Sequence, residues 1–152
     1  MGNIASVTGP RGSSSSVRSS YAYDALNQLT SETNGSETYT YTYDTAGNIQ
    51  TVTDPNGKVI REYWTQNGTE YILDFFYDVN GKPLALYYRV NGASTAYYYQ
   101  TNLQGDVMKI FKVTSSGGVA TATQVASYAY DAWGNEINIS RYAHTGIPGF
   151  QL

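Results

Sequence analysis

The chain contains no cysteine, so neither a disulfide framework nor a thiolate metal centre can organise it, and redox chemistry gives no reading of its compartment. A single histidine, His144, sits in a Gly/Pro-rich tail, which leaves a Ser-His-Asp arrangement or a multi-histidine metal site with almost nothing to build from. No cofactor is implied. Nine basic residues stand against twelve acidic ones, for a formal net charge of −3, and the basic ones are dispersed, which argues against nucleic acid as a partner. No apolar run is long enough to span a bilayer, and no basic-plus-apolar start could serve as a signal peptide. Helical periodicity is missing too. The only helix candidate is a turn near Asp24-Ala25-Leu26.

Tyrosine is abundant instead, with 16 residues against 4 Phe and 2 Trp in a chain of 152. Each ring can bury a large area while its hydroxyl reaches water or a backbone carbonyl, which suits a sheet that is wet on at least one side. Many of the tyrosines fall in a repeated unit: Tyr23-Asp24 in YAYDALNQL, Tyr43-Asp44 in YTYDTAGNI, Tyr77-Asp78 in FYDVNGKPL and Tyr130-Asp131 in YAYDAWGNEI. In each copy, alternating aromatic and small or polar residues run up to the Asp, a short turn follows, and alternation resumes. That is the pattern of a repeated β-hairpin. In Tyr39-Thr40-Tyr41-Thr42-Tyr43 the period of two puts every ring on one face and every threonine hydroxyl on the other. The Asp carboxylate can accept from backbone N–H groups two residues on, and Gly47 or Gly134 can supply the positive φ that closes a tight hairpin with a bulge. Asn48, Gly81 and Asn135 hold equivalent turn positions, as do Asn102, Gly105 and Asp106 in NLQGD.

Strands are predicted at 21–24, 28–32, 38–44, 48–53, 58–64, 70–77, 84–90, 95–101, 106–113, 124–130 and 136–140. The connections include the hairpin-forming pairs Asn34-Gly35, Asn67-Gly68, Asn80-Gly81 and Asn91-Gly92, with Asn56-Gly57 as a fifth. The fold class that follows is all-β: an antiparallel meander of repeated β-hairpins. A single twisted sheet of this many strands must curl, pack or continue into further repeats. Residues 2–10, GNIASVTGP, align with residues 47–55, GNIQTVTDP, so the chain reads as beginning in mid-repeat, an excised segment of a longer array. Three regions are expected: a half repeat plus the Ser-rich loop RGSSSSVRSS over 1–20, the repeat sheet over 21–140, and a tail over 141–152. Strands left at both cut ends expose unsatisfied backbone groups, and self-association through edge strands is expected.

Two chemical readings compete with a purely structural one. Glu62, Glu70 and Asp74 fall near Tyr63, Trp64 and Tyr71, and paired carboxylates amid rings are what glycoside hydrolysis needs. The same rings, with Trp133, could stack on sugars without hydrolysis. Against hydrolysis, Glu62 and Glu70 flank the Asn67-Gly68 turn and are accounted for as solvent-facing residues. Asn67-Gly68-Thr69 also fits the N-glycosylation pattern, but the turn already explains it.

The Tyr-Asp hairpins, and above all Tyr98-Tyr99-Gln100-Thr101-Asn102-Leu103-Gln104-Gly105-Asp106-Val107 followed by Val125-Ala126-Ser127-Tyr128-Ala129-Tyr130-Asp131-Ala132-Trp133-Gly134-Asn135, resemble the Rhs/YD-repeat family. The second run is similar to the start of the Rhs-associated core. The resemblance covers residues 21–140, and 2–10 more weakly. Its relatives are the Tc-toxin C components, bacterial Rhs and wall-associated toxins, and the teneurins. It implies a β-sheet spiralling into a hollow shell that encloses a C-terminal effector in the bacterial toxins. The implied partners are the remaining repeats and that effector, and the implied location of the parent protein is secreted or cell-surface. Many relatives carry an aspartyl self-cleavage motif like Asp-Pro-x-Gly-Leu at the end of the core. Here residues 141–152 contain no Asp, and Asp54-Pro55-Asn56-Gly57 is followed by Lys58, so no catalytic residue carries over. The expectation is a shell segment without enzymatic activity, and the alternative is a carbohydrate- or receptor-binding surface module.

Overall fold

The computed structural model describes residues 3–11, 14–131, 133 and 135–141. Within them are twelve β-strands and no helix. The chain divides into two compact units, Met1–Trp64 and Thr65–Leu152. The division falls inside the region expected as one repeat sheet, 21–140. In each unit consecutive strands pair antiparallel, so the order across the sheet is the order in the chain. This is the predicted meander.

The first unit holds β1 (Ser6–Arg11), β2 (Ser14–Tyr23), β3 (Leu29–Asn34), β4 (Glu37–Tyr43), β5 (Ile49–Thr53) and the greater part of β6 (Val59–Gln66). One expectation is corrected here. The Ser-rich stretch expected as a loop is strand: Ser14 to Ser20 pair with Arg11 to Ser6, and Ser19 to Tyr23 pair with β3. Composition misled because serine has little intrinsic preference for strands, whereas a ladder on one or both flanks supplies the backbone bonds regardless of side chain. The hairpin turn after β3 also sits one residue later than the Asn-Gly pair suggested. Asn34 pairs with Glu37, leaving Gly35-Ser36 as the two-residue loop, with Gly35 alone at positive φ (66°). Glycine at the first central position of such a loop matches the twist of the flanking strands.

The register separates two chemistries in this unit. Ser31↔Thr40, Thr40↔Thr53 and Thr42↔Thr51 place hydroxyls on one face. Thr42 and Thr51 share a hydrogen bond of 2.7 Å, and Thr33 and Thr38 one of 2.9 Å. Tyr21, Tyr39, Tyr41 and Tyr43 occupy the other face and are half-buried, whereas Thr40 and Thr42 are exposed. Among the described residues none in this unit is fully buried. A one-layer sheet of rings and hydroxyls needs no interior, because cross-strand pairs on each face stabilise it locally.

The second unit contains β7 (Thr69–Tyr77), β8 (Pro83–Val90), β9 (Ala93–Thr101), β10 (Val107–Ser116), β11 (Val119–Tyr130) and β12 (Glu136–Arg141). Here a core exists. The registers Leu73↔Tyr88, Leu86↔Tyr97, Ile110↔Tyr99 and Ile110↔Ala126 bring apolar residues of five strands onto one face. Leu86 and Tyr97 are the most enclosed, at 1% and 2% exposure. Tyr71 stacks on Tyr88 along the same face, centroids 6.3 Å apart. Burial pushes the Tyr97 and Tyr88 phenols above their ordinary pKa, so both stay neutral donors. Of the expected tail, only Arg141, the last residue of β12, lies within the described residues.

Truncating Leu86 to Ala should destabilise the chain by about 2–5 kcal/mol, since it removes a fully enclosed side chain from a packed face. Ile49→Ala, at a position 40% exposed in the first unit, should cost less than about 1 kcal/mol. Urea unfolding followed by tyrosine fluorescence checks the difference, and equal losses would contradict the assignment of the core to the second unit.

Candidate functional site

The most regular chemistry in the chain is a wide turn used six times. Asp44 Oδ1 accepts from the N–H of Ala46 and of Asn48, both at 2.9 Å, and Asn48 Nδ2 donates to Asp44 Oδ2 at 3.1 Å. The same two-point grip recurs as Asp24 with Leu26 and Gln28 and Asp54 with Asn56 and Lys58. Asp78 holds Asn80 and Lys82, and Asp131 holds Trp133 and Asn135. Asn102 replaces the aspartate once, its Oδ1 accepting from Gly105 and Asp106 at 2.9 Å each. One carboxyl oxygen thus satisfies two N–H groups that the bending backbone leaves unpaired. Gly47, Gly57, Gly81 and Gly105 follow at positive φ, and Asn27 takes that position at 63° in the first copy. Gly134 lies outside the described residues.

Sequence reasoning grouped these turns by Tyr-Asp and so treated Asp54, preceded by Thr53, as an ordinary Asp-Pro turn. The signal that finds all six is Asx-x-x-Gly/Asn followed by a polar residue. A second regularity is the fixed place of the bulge expected at these turns. The strand leaving each wide turn carries one extra residue at its second position: Thr30, Gln50, Ile60, Leu84, Met108 and Ile137. These β-bulges bend the strand and raise its twist.

The tyrosine before the aspartate has its own task. Tyr43 Oη donates to the Leu29 carbonyl at 2.8 Å, Tyr130 Oη to Val107 at 2.9 Å and Tyr23 Oη to Ile4 at 3.0 Å. The acceptor lies beyond the end of the ladder each time: β3–β4 pairing begins at Ser31↔Thr40, β10–β11 pairing at Lys109↔Ser127 and β1–β2 pairing at Ser6↔Ser20. Leu29 and Val107 each stand one residue before a bulge, and there the phenol hydroxyl reaches a carbonyl outside the β3–β4 or β10–β11 ladder. Phenylalanine would fill the space but leave that acceptor unsatisfied.

Of the residues singled out for carbohydrate chemistry, the two in the second unit, Tyr71 and Trp133, lie apart. Tyr63 and Trp64 are half-buried on β6. Tyr71 is stacked against Tyr88 near the β8–β9 end of the second unit's sheet, whereas Trp133, 86% exposed, rides on the Asp131 turn at the opposite end. Glu70 and Asp74 are four residues apart on one strand, roughly 13 Å along the backbone, beyond the carboxylate spacing of either glycosidase geometry. Asp74, 6% exposed, is committed to an ion pair with Arg89 at 2.7 Å. Among the described residues no cluster could hold a metal ion, and no helix is long and apolar enough to cross a membrane.

An aromatic patch that the sequence did not single out lies on the second unit's other face. Phe76, Tyr87 and Tyr98, on three adjacent strands, are all exposed, and Phe76 meets Tyr87 edge to face at 5.3 Å. They are out of phase with the buried rings by one residue, so runs of consecutive aromatics such as Phe75-Phe76-Tyr77 hide which ring faces out.

A sequence model of the RHS Repeat matches residues 2–37 and again residues 23–59. Both stretches contain the Asp24 turn or its neighbours, and the second adds the Asp44 and Asp54 turns. No curated protein matches the chain.

Two outcomes test this geometry. Tyr43→Phe and Tyr130→Phe should each cost about 0.5–1.5 kcal/mol, the net value of one hydrogen bond, measured by urea unfolding; stability unchanged in both would show the hydroxyl ties to be idle. The second concerns pH. The Asn48 side-chain amide first, then its backbone N–H, holds Asp44 below the ordinary 3.8, and the Lys82 N–H does the same for Asp78. A depressed folded-state pKa means that the turn contribution is complete above the unfolded value and is lost as pH falls through the folded one. Carboxyl-carbon NMR titration should place both midpoints below 3.8, and midpoints at or above it would contradict the two-point grip.

Proposed function

We propose, from the match of residues 2–59 to the RHS Repeat and the recurrence of the same turn through Asp131, that the chain is a structural segment of the shell wall of a bacterial Rhs-type toxin, enclosing and delivering a C-terminal effector without catalysis of its own. The observation that carries this reading is the use of the repeat carboxylates. Asp24, Asp44, Asp54, Asp78 and Asp131 each turn inward on their own loop N–H groups, so the motif residues are spent on bending the chain. Further repeats of the parent protein and its enclosed effector are the partners this role requires, and the parent would be secreted or displayed at the cell surface. Edge strands that continue in the parent would pair with copies of the chain when it is isolated.

A second reading, a binding module for glycans, is favoured by the exposed Phe76, Tyr87 and Tyr98 patch. Rings presented side by side on adjacent strands suit stacking on sugar faces. A glycan array probed with the purified chain separates the two. A wall segment gives no ligand above background, and its intact mass stays that of one uncut species on prolonged incubation. A glycan whose signal disappears in Tyr98→Ala would replace the wall by the binding module, and a discrete cut abolished by Asp54→Asn would restore a catalytic role to that turn.

A further inference from the structure

The five Asn-Gly dipeptides, at 34–35, 56–57, 67–68, 80–81 and 91–92, are alike in sequence and all five asparagines are exposed. The fold nevertheless sets them apart. At Asn56-Gly57 and Asn80-Gly81 the glycine N–H is held in the wide turn, donating to the Asp54 carbonyl at 3.0 Å and to the Asp78 carbonyl at 2.9 Å. Asn34 is the closing residue of a ladder, paired with Glu37. Asn91 has its side chain anchored, Oδ1 accepting from the Glu70 N–H at 3.1 Å, while its own N–H donates to the Glu70 carbonyl. At Asn67-Gly68, among the described residues, neither the side-chain amide nor the glycine N–H has a hydrogen-bond partner. Both residues take positive φ, 52° and 75°, as Asn91 and Gly92 also do, and the space around Gly68 is open, as it is around Gly35, Gly57 and Gly92, so the missing hydrogen bonds are what distinguish this pair.

We infer that Asn67 is a site of spontaneous backbone modification, the place where this chain deamidates and isomerises first. The chemistry needs only water. The Gly68 nitrogen gives up its proton to solvent base and attacks Asn67 Cγ. A new C–N bond closes the five-membered succinimide, the Cγ–Nδ2 bond breaks, and Nδ2 takes up a proton and leaves as ammonia. Water then adds to either ring carbonyl, giving aspartate when the side-chain carbonyl opens the main-chain linkage unchanged, or isoaspartate when the backbone is rerouted through Cγ. Each event adds one negative charge to a chain of net charge −3. The isoaspartate branch also lengthens the main chain by one methylene at a tight turn. Where the glycine N–H is already donated, the bond must first be given up, which slows attack; the factor for one such bond is about fivefold to tenfold.

Peptide mapping by mass spectrometry, on the full chain held in mildly alkaline buffer, follows all five asparagines at once. The Asn67 peptide should convert first, and those of Asn56 and Asn80 about fivefold to tenfold more slowly. In denaturant the five should converge, because only the fold distinguishes them. Conversion of Asn56 or Asn80 at the Asn67 rate in the folded chain would overturn the inference. So would an Asn67 that stays intact when folded but converts when unfolded.

Discussion

Every bend in this sheet that is wider than a two-residue hairpin depends on one carboxyl or amide oxygen accepting two backbone N–H groups. A five-residue connection turns several peptide units away from any ladder, and their donors need acceptors at an exposed edge. An Asx side chain supplies one from within the loop. Asp44 illustrates the economy of this: Oδ1 meets Ala46 and Asn48, and Oδ2 meets the Asn48 side chain. The loop then leaves the strand with a bulge at a fixed place, Gln50 in this copy. After the Asp24 turn, whose bulge is Thr30, the Tyr43 hydroxyl of the following unit reaches the Leu29 carbonyl. Asp, bulge and Tyr are thus successive answers to one accounting problem, and the Tyr-Asp dipeptide is the part of the answer that shows in the sequence.

The two units differ in what else they use. In the first, hydroxyl pairs and half-buried rings suffice, and Tyr41 donates to Glu32 across the ring face at 3.2 Å. In the second, the same hairpin plan carries Leu73, Leu86, Val107 and Ile110 at core positions, so burial adds to hydrogen bonding. Adjacent wide turns are also tied to one another there: Lys82, after the Asp78 turn, donates from Nζ to the Leu103 carbonyl of the next turn at 2.7 Å. Its stem lies 3.4 to 3.5 Å from where a side chain on Gly105 would begin, which gives this glycine a steric reason as well as a conformational one.

For function, the important consequence is that the recurring acids are structurally occupied. A carboxylate that accepts two short backbone bonds is oriented within its own loop, a poor starting point for proton transfer to a ligand. Among the described residues, the one deeply placed acid outside the turns, Asp74, is paired with Arg89. The exposed Phe76, Tyr87 and Tyr98 patch is the surface on which the glycan-binding alternative can be tested.

The sequence by itself determined the fold class, because a period of two flanked by Asn-Gly and Asp-x-x-Gly admits only extended strands and reversals. It determined the turn residues for the same reason: positive φ and two adjacent N–H donors can be met only by Gly or Asn and by Asx at fixed spacing. Tertiary structure alone decided the rest. The Ser14–Ser20 stretch became strand because neighbouring ladders supplied partners that its side chains do not advertise. The choice of Leu86 and Tyr97 as interior, with Phe76, Tyr87 and Tyr98 outside, depended on register, which a bulge of one residue reverses. The acceptors of the tyrosine hydroxyls lie 14 to 23 residues back in the chain. No local pattern encodes a carbonyl that loses its partner only when the strands around it are bent.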